Sequence, residues 1–314
     1  MNMRKKMQIN DKIYIAGATG LVGSAITHKL YETGYSNIIT NRIELTNYDT
    51  VLNFFITNKF DYIFLCAAKV GGILANNTYP VDFLETNLRI QLNVIKAAHE
   101  INVKKLLFLG SSCIYPNNFL NPISEKDLLN GPLESTNSAY AIAKITGIEL
   151  IKAYNKQYGL NGICPMPCNL FGPGDNFDLN SSHVLPALIK KFHEAKINNS
   201  PSVTCWGDGS PKREFLYSED LAEACIFLMQ NYNSTEIINV GTGEDISIKE
   251  LVNLIKNIVR YSGEIIWDIS KPNGTMRKVL NCSKINNLGW KYKTSLKEGI
   301  SKVYDWYINS QKSL

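Results

Sequence analysis

The sequence has few arginines, six among 314 residues, and no block of like charges. A net charge of +5 spread in this way forms no basic stripe for a phosphate backbone, which argues against a nucleic-acid partner. Long hydrophobic runs are missing too. The start, Met1 to Met7, is basic, but no apolar segment of signal-peptide type follows it, and no stretch is long enough to span a bilayer. These absences predict a cytoplasmic chain without a membrane partner. Cysteine is present seven times, an odd number without framework spacing, so free thiols in a reducing compartment are expected. Cys164 and Cys168 are four apart with no second Cys or His pair nearby, so no metal site is expected. Internal repeats are absent.

What is there is an ordinary globular balance, 45% hydrophobic and 19% charged. Apolar strands alternate with helical spacing through the first half. Strands are expected at 12–17, 37–40, 61–66, 105–110 and 162–165. Helices are expected at 21–31, at 46–57 with Thr46 or Asn47 as cap, and at 81–100 and 137–158. Strands that are apolar throughout and separated by helices indicate a parallel sheet buried on both faces, a doubly wound α/β fold. After Asn169 the pattern loosens. A loop at 172–176, a helix at 184–195, a strand at 236–243 returning to the sheet, and helices at 246–261 and 294–311 suggest a smaller C-terminal lobe.

Gly17-Ala18-Thr19-Gly20-Leu21-Val22-Gly23 follows the first strand and opens a helix. Such a turn lets backbone amides approach a pyrophosphate at a helix N-terminus, the Rossmann arrangement for a dinucleotide. The glycine spacing alone is a weak signal, and its place at the first strand–helix junction strengthens it. About 20 residues further on, where a carboxylate would grip a ribose 2′-hydroxyl, stands Arg42. A guanidinium there pairs with a 2′-phosphate, which favours NADP(H), although Glu44 is two residues away and an exposed arginine is often only solvated. The expected division is 1–168 with 203–243 for the NADP-binding domain, and 169–202 with 244–314 for the smaller lobe, which the resemblance described below implies is the sugar-nucleotide-binding one.

Tyr140 and Lys144 are one turn apart on a predicted helix and share a face. In a chain with 16 tyrosines such a pair also arises by chance. It gains meaning from following the fourth strand, which ends in Gly110-Ser111-Ser112-Cys113. A lysine there holds the nicotinamide ribose and lowers the tyrosine pKa, so that the phenol can protonate an oxygen that gains charge.

The sequence resembles the extended short-chain dehydrogenase/reductases, and among them the GDP-L-fucose synthase family, from about Lys12 to Trp306. The segments that carry the likeness are Ala67-Ala-Lys-Val-Gly-Gly-Ile73, Ala75-Asn-Asn-Thr-Tyr-Pro80 and Leu106-Leu-Phe-Leu-Gly-Ser-Ser-Cys-Ile-Tyr-Pro116. Tyr140-Ala-Ile-Ala-Lys144, Ser182-His-Val-Leu-Pro186, Arg213-Glu-Phe215 and Asn239-Val-Gly-Thr-Gly243 complete the set. The resemblance implies epimerisation at C3 and C5 of a GDP-4-keto-6-deoxy sugar, then NADPH reduction at C4. It implies Tyr140 as proton donor beside Ser111 and Lys144, Cys113 as epimerisation base and His183 as acid. Taken singly, Cys113 reads as a small buried residue and His183 as a structural histidine. Ala67 and Asn169 are further cofactor candidates. Asn169, Lys191, Trp206, Arg213 and Lys278 are the candidates for the sugar nucleotide, three of them cations suited to a diphosphate. Trp206 could equally be a core aromatic of the lobe. A homodimer through the helices at 81–100 and 137–158 is implied by the same analogy.

The chain also departs from that family. Thr19 stands where an arginine is usual, Lys191 replaces an arginine, Asn281 takes a usually acidic position, and Phe171, Gly174, Asp178 and Leu179 differ around His183. Two enzymatic readings stay open, a fucose-type epimerase/reductase and a C4 reductase of a GDP-4-keto-6-deoxy-heptose for surface polysaccharide. A non-catalytic dinucleotide sensor would be expected to lose Tyr140 or Lys144. A dehydratase would need acidic residues in the Ser-Ser segment, where Cys113 stands, and Arg42 argues for a dissociable phosphorylated cofactor against an epimerase or dehydratase that retains its NAD.

Overall fold

Strand β1 (Ile13–Ala16) is buried along its whole length, as a strand covered on both faces must be. It leads into helix α1 (Leu21–Glu32), then β2 (Ile38–Ile39), α2 (Tyr48–Asn58), β3 (Tyr62–Leu65), α3 (Ile73–Thr78) and α4 (Pro80–Glu100). β4 (Lys105–Phe108), α5 (Ser138–Tyr158) and β5 (Gly162–Ile163) complete the first half. The five strands form one parallel sheet in the order β2-β1-β3-β4-β5. The computed structural model describes residues 6–117, 122–179, 181–271 and 273–312; the basic start of the chain, residues 1–5, lies outside them.

Local signals explain several boundaries. Asn47 caps α2 by accepting from Thr50 N at 2.9 Å, and α5 ends in Gly159 with a left-handed φ of 75°. The second half continues with β6 (Pro165–Pro167), β7 (Asn169–Phe171), α6 (Val184–Ile197), β8 (Ser202–Trp206), β9 (Lys212–Arg213) and β10 (Phe215–Tyr217). It goes on through α7 (Ser218–Asn231), β11 (Ile238–Val240), β12 (Ile246–Ser247), α8 (Ile248–Val259), β13 (Glu264–Asp268), β14 (Arg277–Lys278), α9 (Ser283–Asn287) and α10 (Leu296–Lys312). The expected fifth strand at 162–165 is split into β5 and β6 around the buried Cys164. Pro165 O accepts from Gly110 N at 2.9 Å, and β6 pairs in parallel with the returning β11.

Helix α7 has no counterpart in the expectations from sequence. It follows β10 directly and has no side-chain cap, so the local signal at its start is limited to Glu219 and Asp220 in the first turn. α7 packs on α1, while α4 packs on α2 and α5, and the two groups enclose the sheet. The ammonium of the buried Lys105 closes the C-terminal end of α7, donating to Leu228 O, Met229 O and Tyr232 O at 3.0, 2.8 and 2.5 Å. These carbonyls lie in the last turn and cap of the helix, where the dipole favours a cation, and Leu228 O also accepts from Tyr232 N at 2.9 Å.

Two cores follow. The first holds the sheet with α1, α4 and α5; full burial of a side chain such as Phe64 contributes about 1.5–3 kcal/mol. The second is built from α6, α8 and α10 over β8 and β13. Two stretches pack otherwise than the sequence division has them. Val203, Cys205, Phe215 and Tyr217 are buried in the lobe core, and Leu280, Cys282, Ile285 and Trp290 in the sheet core. The reason is strand alternation. β10 pairs with β7 and sends Leu216 to the first core but Phe215 and Tyr217 to the second, so the ribbon is the seam between them. The seven cysteines are free. Among the described residues, no helix is long and apolar enough to cross a membrane.

Candidate active site

The glycine turn is built by close approach. Gly17 has φ +88°, and a Cβ there would stand 2.7 Å from the backbone nitrogen of Ala67, at the end of β3. A Cβ at Gly23 would stand 2.1 Å from the Gly17 carbonyl oxygen. Gly20 donates to Gly17 O at 3.1 Å and begins α1 with no capping side chain and no acidic residue in the first turn. Thr19 and Gly20 are exposed, and Leu21 and Val22 lead into the helix. The first amides of α1 and its uncompensated helix dipole fit a pyrophosphate. Arg42 is exposed in the loop after β2. The Glu44 carboxylate is engaged elsewhere. It accepts from Thr46 N at 3.0 Å and Thr46 Oγ1 at 2.6 Å, bonds that hold it below the usual carboxylate range. The residues present therefore fit a dinucleotide whose ribose carries a phosphate.

Tyr140 and Lys144 lie in the first two turns of α5. Lys144 is 3% exposed and donates to Leu109 O at 2.7 Å; its ammonium lies 4.8 Å from the Phe108 ring centre and 5.8 Å from that of Tyr140. Burial pushes its pKa down to about 8, opposed by the thiols of Cys66 and Cys164. The half-buried phenol of Tyr140 is hydrogen-bonded to the Ser111 side chain. Burial, then the neighbouring Cys113, push its pKa above the ordinary tyrosine value. The lowering expected from Lys144 is not found: only Ser111 lowers this pKa, desolvation outweighs it, and the phenol keeps the proton that a donor needs. Ser111 also accepts from Cys113 N at 3.1 Å, which fixes the turn carrying that cysteine.

The lobe closes this group from the other side. β9 and β14 run parallel with Arg213 opposite Lys278. Lys278 Nζ donates to Cys113 Sγ at 3.5 Å. Arg213 lies within electrostatic reach of the same sulfur, and burial holds its pKa below the ordinary arginine value. His183 occupies the N-cap of α6. Its surface is exposed, yet protein surrounds the ring closely enough that desolvation, with the Lys278 ammonium, holds its pKa below the usual histidine value. The Gly71–Gly72 loop meets the loop before His183, Gly72 N donating to Ser181 O at 3.1 Å.

Lys191 and Trp206 are adjacent, the ammonium donating to Thr204 O at 3.2 Å and lying 5.7 Å from the ring centre. Trp206 is 56% exposed and so is not a core aromatic of the lobe. Lys271, absent from the candidates, lies 5.7 Å from the same ring on its own account. Asn169 spends its side-chain amide on Glu214 O at 2.8 Å, which makes it a strut between β7 and the residue after β9.

Glu214 is the residue that sequence reasoning passed over. It is fully buried and its carboxylate accepts from Thr242 N, Gly243 N and Leu280 N at 2.6, 2.8 and 2.7 Å. Burial raises its pKa against these bonds. It ties Arg213 to the loop after β11 and to the segment after β14. Its signal in the sequence is a carboxylate between Arg213 and Phe215, within a motif already singled out.

Residues 13–241 match the profile of the NAD dependent epimerase/dehydratase family. A protein described as putative GDP-L-fucose synthase 2, from Arabidopsis thaliana, is 53% identical over 302 residues, 95% of this chain and 92% of the relative. Among solved structures, a GDP-mannoheptose C4 reductase from Campylobacter jejuni with NADP bound is 41% identical, with 96% of this chain and 99% of the other covered and a TM-score of 0.88. A GDP-6-OMe-4-keto-L-xylo-heptose reductase from C. jejuni is 39% identical, with 98% and 100% covered and a TM-score of 0.93. Sequence likeness and shared architecture thus lead to one conclusion, that this chain belongs to the NAD dependent epimerase/dehydratase family and groups within it with the GDP-L-fucose synthases.

Proposed function

We propose that the protein is an NADPH-dependent epimerase and C4 reductase of a GDP-4-keto-6-deoxy sugar. The observation that carries this reading is the Tyr140 phenol, hydrogen-bonded to Ser111 with Lys144 one turn away, at the strand end that faces the glycine turn. The glycine turn and Arg42 would hold the dinucleotide, which supplies hydride to C4. Tyr140 gives its proton to the C4 oxygen, and Ser111 hydrogen-bonds the same oxygen. Lys144, fixed by Leu109 O, brings a buried positive charge to the strand end.

C3 and C5 flank the ketone, so their hydrogens are acidic. Cys113 removes a proton and His183 returns one to the opposite face, roles suited to a thiolate and an imidazole near neutral pH. Arg213 and Lys191 are the remaining cations for the diphosphate, with Trp206 for the base.

The test uses NADPH and GDP-4-keto-6-deoxymannose in deuterated water, with products read by NMR. Turnover with deuterium at C3 and C5 is expected, and Tyr140→Phe should slow NADPH oxidation about 10²–10⁴-fold. A second reading has support in the heptose reductase neighbours and in the altered residues around His183, Phe171 and Gly174 among them. Turnover of the corresponding heptose alone, without deuterium at C3 or C5, would establish that reading and remove the first.

We also propose that the enzyme is a cytoplasmic homodimer joined through α4 and α5. In support, these helices pack on each other and still expose Val81, Leu92, Ile142 and Tyr158. Sedimentation at the mass of one chain would overturn the dimer.

A further inference from the structure

The sequence places Lys278 with the cations that meet the substrate's diphosphate. Its neighbour in the structure is a sulfur, Cys113 Sγ, 3.5 Å away and 165 residues distant along the chain. We propose that Lys278 is a positioning residue for the proton exchange at C3 and C5, holding Cys113 in place and supplying the counter-charge for its thiolate. This rests on the epimerase reading above.

Three observations carry it. First, β14 is only two residues long, and its register sets Lys278 opposite Arg213, so the two side chains share a face. Like charges opposite one another repel, and an anion between or beside them relieves the repulsion. Second, Cys113 is the chain's own group that can become that anion. It lies against Lys278 and in electrostatic reach of Arg213, with its backbone held by Ser111. Third, Lys278 also acts on His183, the partner expected on the opposite face of the sugar. One ammonium therefore faces both groups of the exchange.

The chemistry uses both contacts. The Cys113 thiolate takes the proton at C3 or C5. An S–H bond forms as the C–H bond breaks, and the electron pair moves to the C4 oxygen of an enolate. Tyr140 and Ser111 are the hydroxyls at that oxygen. The His183 imidazolium then gives its N–H proton to the opposite face of the same carbon, and the electron pair returns from oxygen to carbon. Cysteine is left as a thiol and histidine neutral, and water exchange restores both. The Lys278 charge stabilises the thiolate before the step and makes the His183 imidazolium a stronger acid in it, at the cost of a smaller protonated fraction. A cation committed only to the diphosphate would do neither.

The experiment compares wild type with Lys278→Met, Lys278→Arg and, as control, Cys113→Ser. Two readouts are taken. One is deuterium uptake at C3 and C5 of GDP-4-keto-6-deoxymannose, measured against NADPH oxidation in the same variant. The other is the rate at which iodoacetamide alkylates Cys113 in the free protein, resolved by peptide mass spectrometry. Lys278→Met is expected to lower the ratio of exchange to reduction about tenfold and to slow alkylation by a similar factor, and Lys278→Arg to recover part of both. A Lys278→Met protein with a raised KM for the GDP-sugar, but unchanged exchange at saturation and unchanged alkylation, would overturn the inference and return Lys278 to the diphosphate. Wild type that takes up no deuterium would sink the epimerase reading itself, a result distinct from one in which wild type and variant exchange equally well.

Discussion

Lys144 and Lys278 are cations beside the same small group, Ser111, Cys113 and Tyr140, and they are held in opposite ways. Lys144 stands on a 21-residue helix, is 3% exposed, donates to a backbone carbonyl and has an aromatic ring beside it. Lys278 stands on a two-residue strand, is half-buried and touches a thiol. The difference extends to the regions they belong to. The dinucleotide side is fixed by long helices, a continuous parallel sheet and glycines in backbone contact. The sugar side is assembled from separate ribbons of two or three strands, joined by one buried carboxylate, Glu214, and by the β7–β10 seam. A region of the first kind tolerates little change in its ligand. One of the second kind can change its ligand without disturbing the sheet, and the departures at Lys191 and around His183 fall there, while the one at Thr19 falls in the glycine turn itself.

The sharpest way to break this comparison is Gly23→Ala. A Cβ would meet the Gly17 carbonyl at 2.1 Å, so the turn must open. NADPH binding, followed by fluorescence titration, should weaken at least about 100-fold, while GDP affinity stays within about twofold. Equal loss of both would show that the two regions do not act separately.

A pH profile sharpens it next. Burial lowers Lys144 to about 8, below the value it has unfolded. The folded protein therefore disfavours the ammonium, a cost to stability present below about pH 8 and relieved as the pH rises from there toward the ordinary lysine value. Activity runs the other way, because the charge is needed. The kcat/KM for the free enzyme should fall about tenfold per pH unit above an apparent pKa near 8, and Lys144→Arg should move that limb upward. A profile flat to pH 10 would refute the role of the charge.

The smallest effect is expected at Trp206→Ala. The ring is 56% exposed, so its loss should leave the melting temperature nearly unchanged. GDP affinity by calorimetry should still fall about tenfold, while NADPH affinity is unmoved. A lowered melting temperature with normal GDP affinity would make Trp206 a packing residue.

How much of this could be read beforehand varies by residue. The glycine turn, Arg42 and the Tyr140–Lys144 pair are local patterns, and their elements formed within a few residues of expectation. Helix α7 lacks a capping bond and a preceding loop, and its one local signal is the acidic pair Glu219 and Asp220 in the first turn. Glu214 was within view but unread, since nothing local distinguishes a buried carboxylate between an arginine and a phenylalanine. Charge and amide groups at a cleft make Asn169 and Lys278 candidates for the substrate. In the structure their side chains hydrogen-bond to Glu214 O and Cys113 Sγ, contacts between residues far apart in the chain that no local pattern announces.

By itself, the sequence determined the alternation of apolar strands and amphipathic helices, and with it a doubly wound parallel sheet with a dinucleotide turn at its first crossover. Those features depend on neighbours within one helix turn or one strand. Tertiary structure alone decided where the two cores divide and which cation meets which acid or thiol. Strands of two or three residues carry no period of their own, and a contact between residues 113 and 278 exists only once two separate cores have packed against each other.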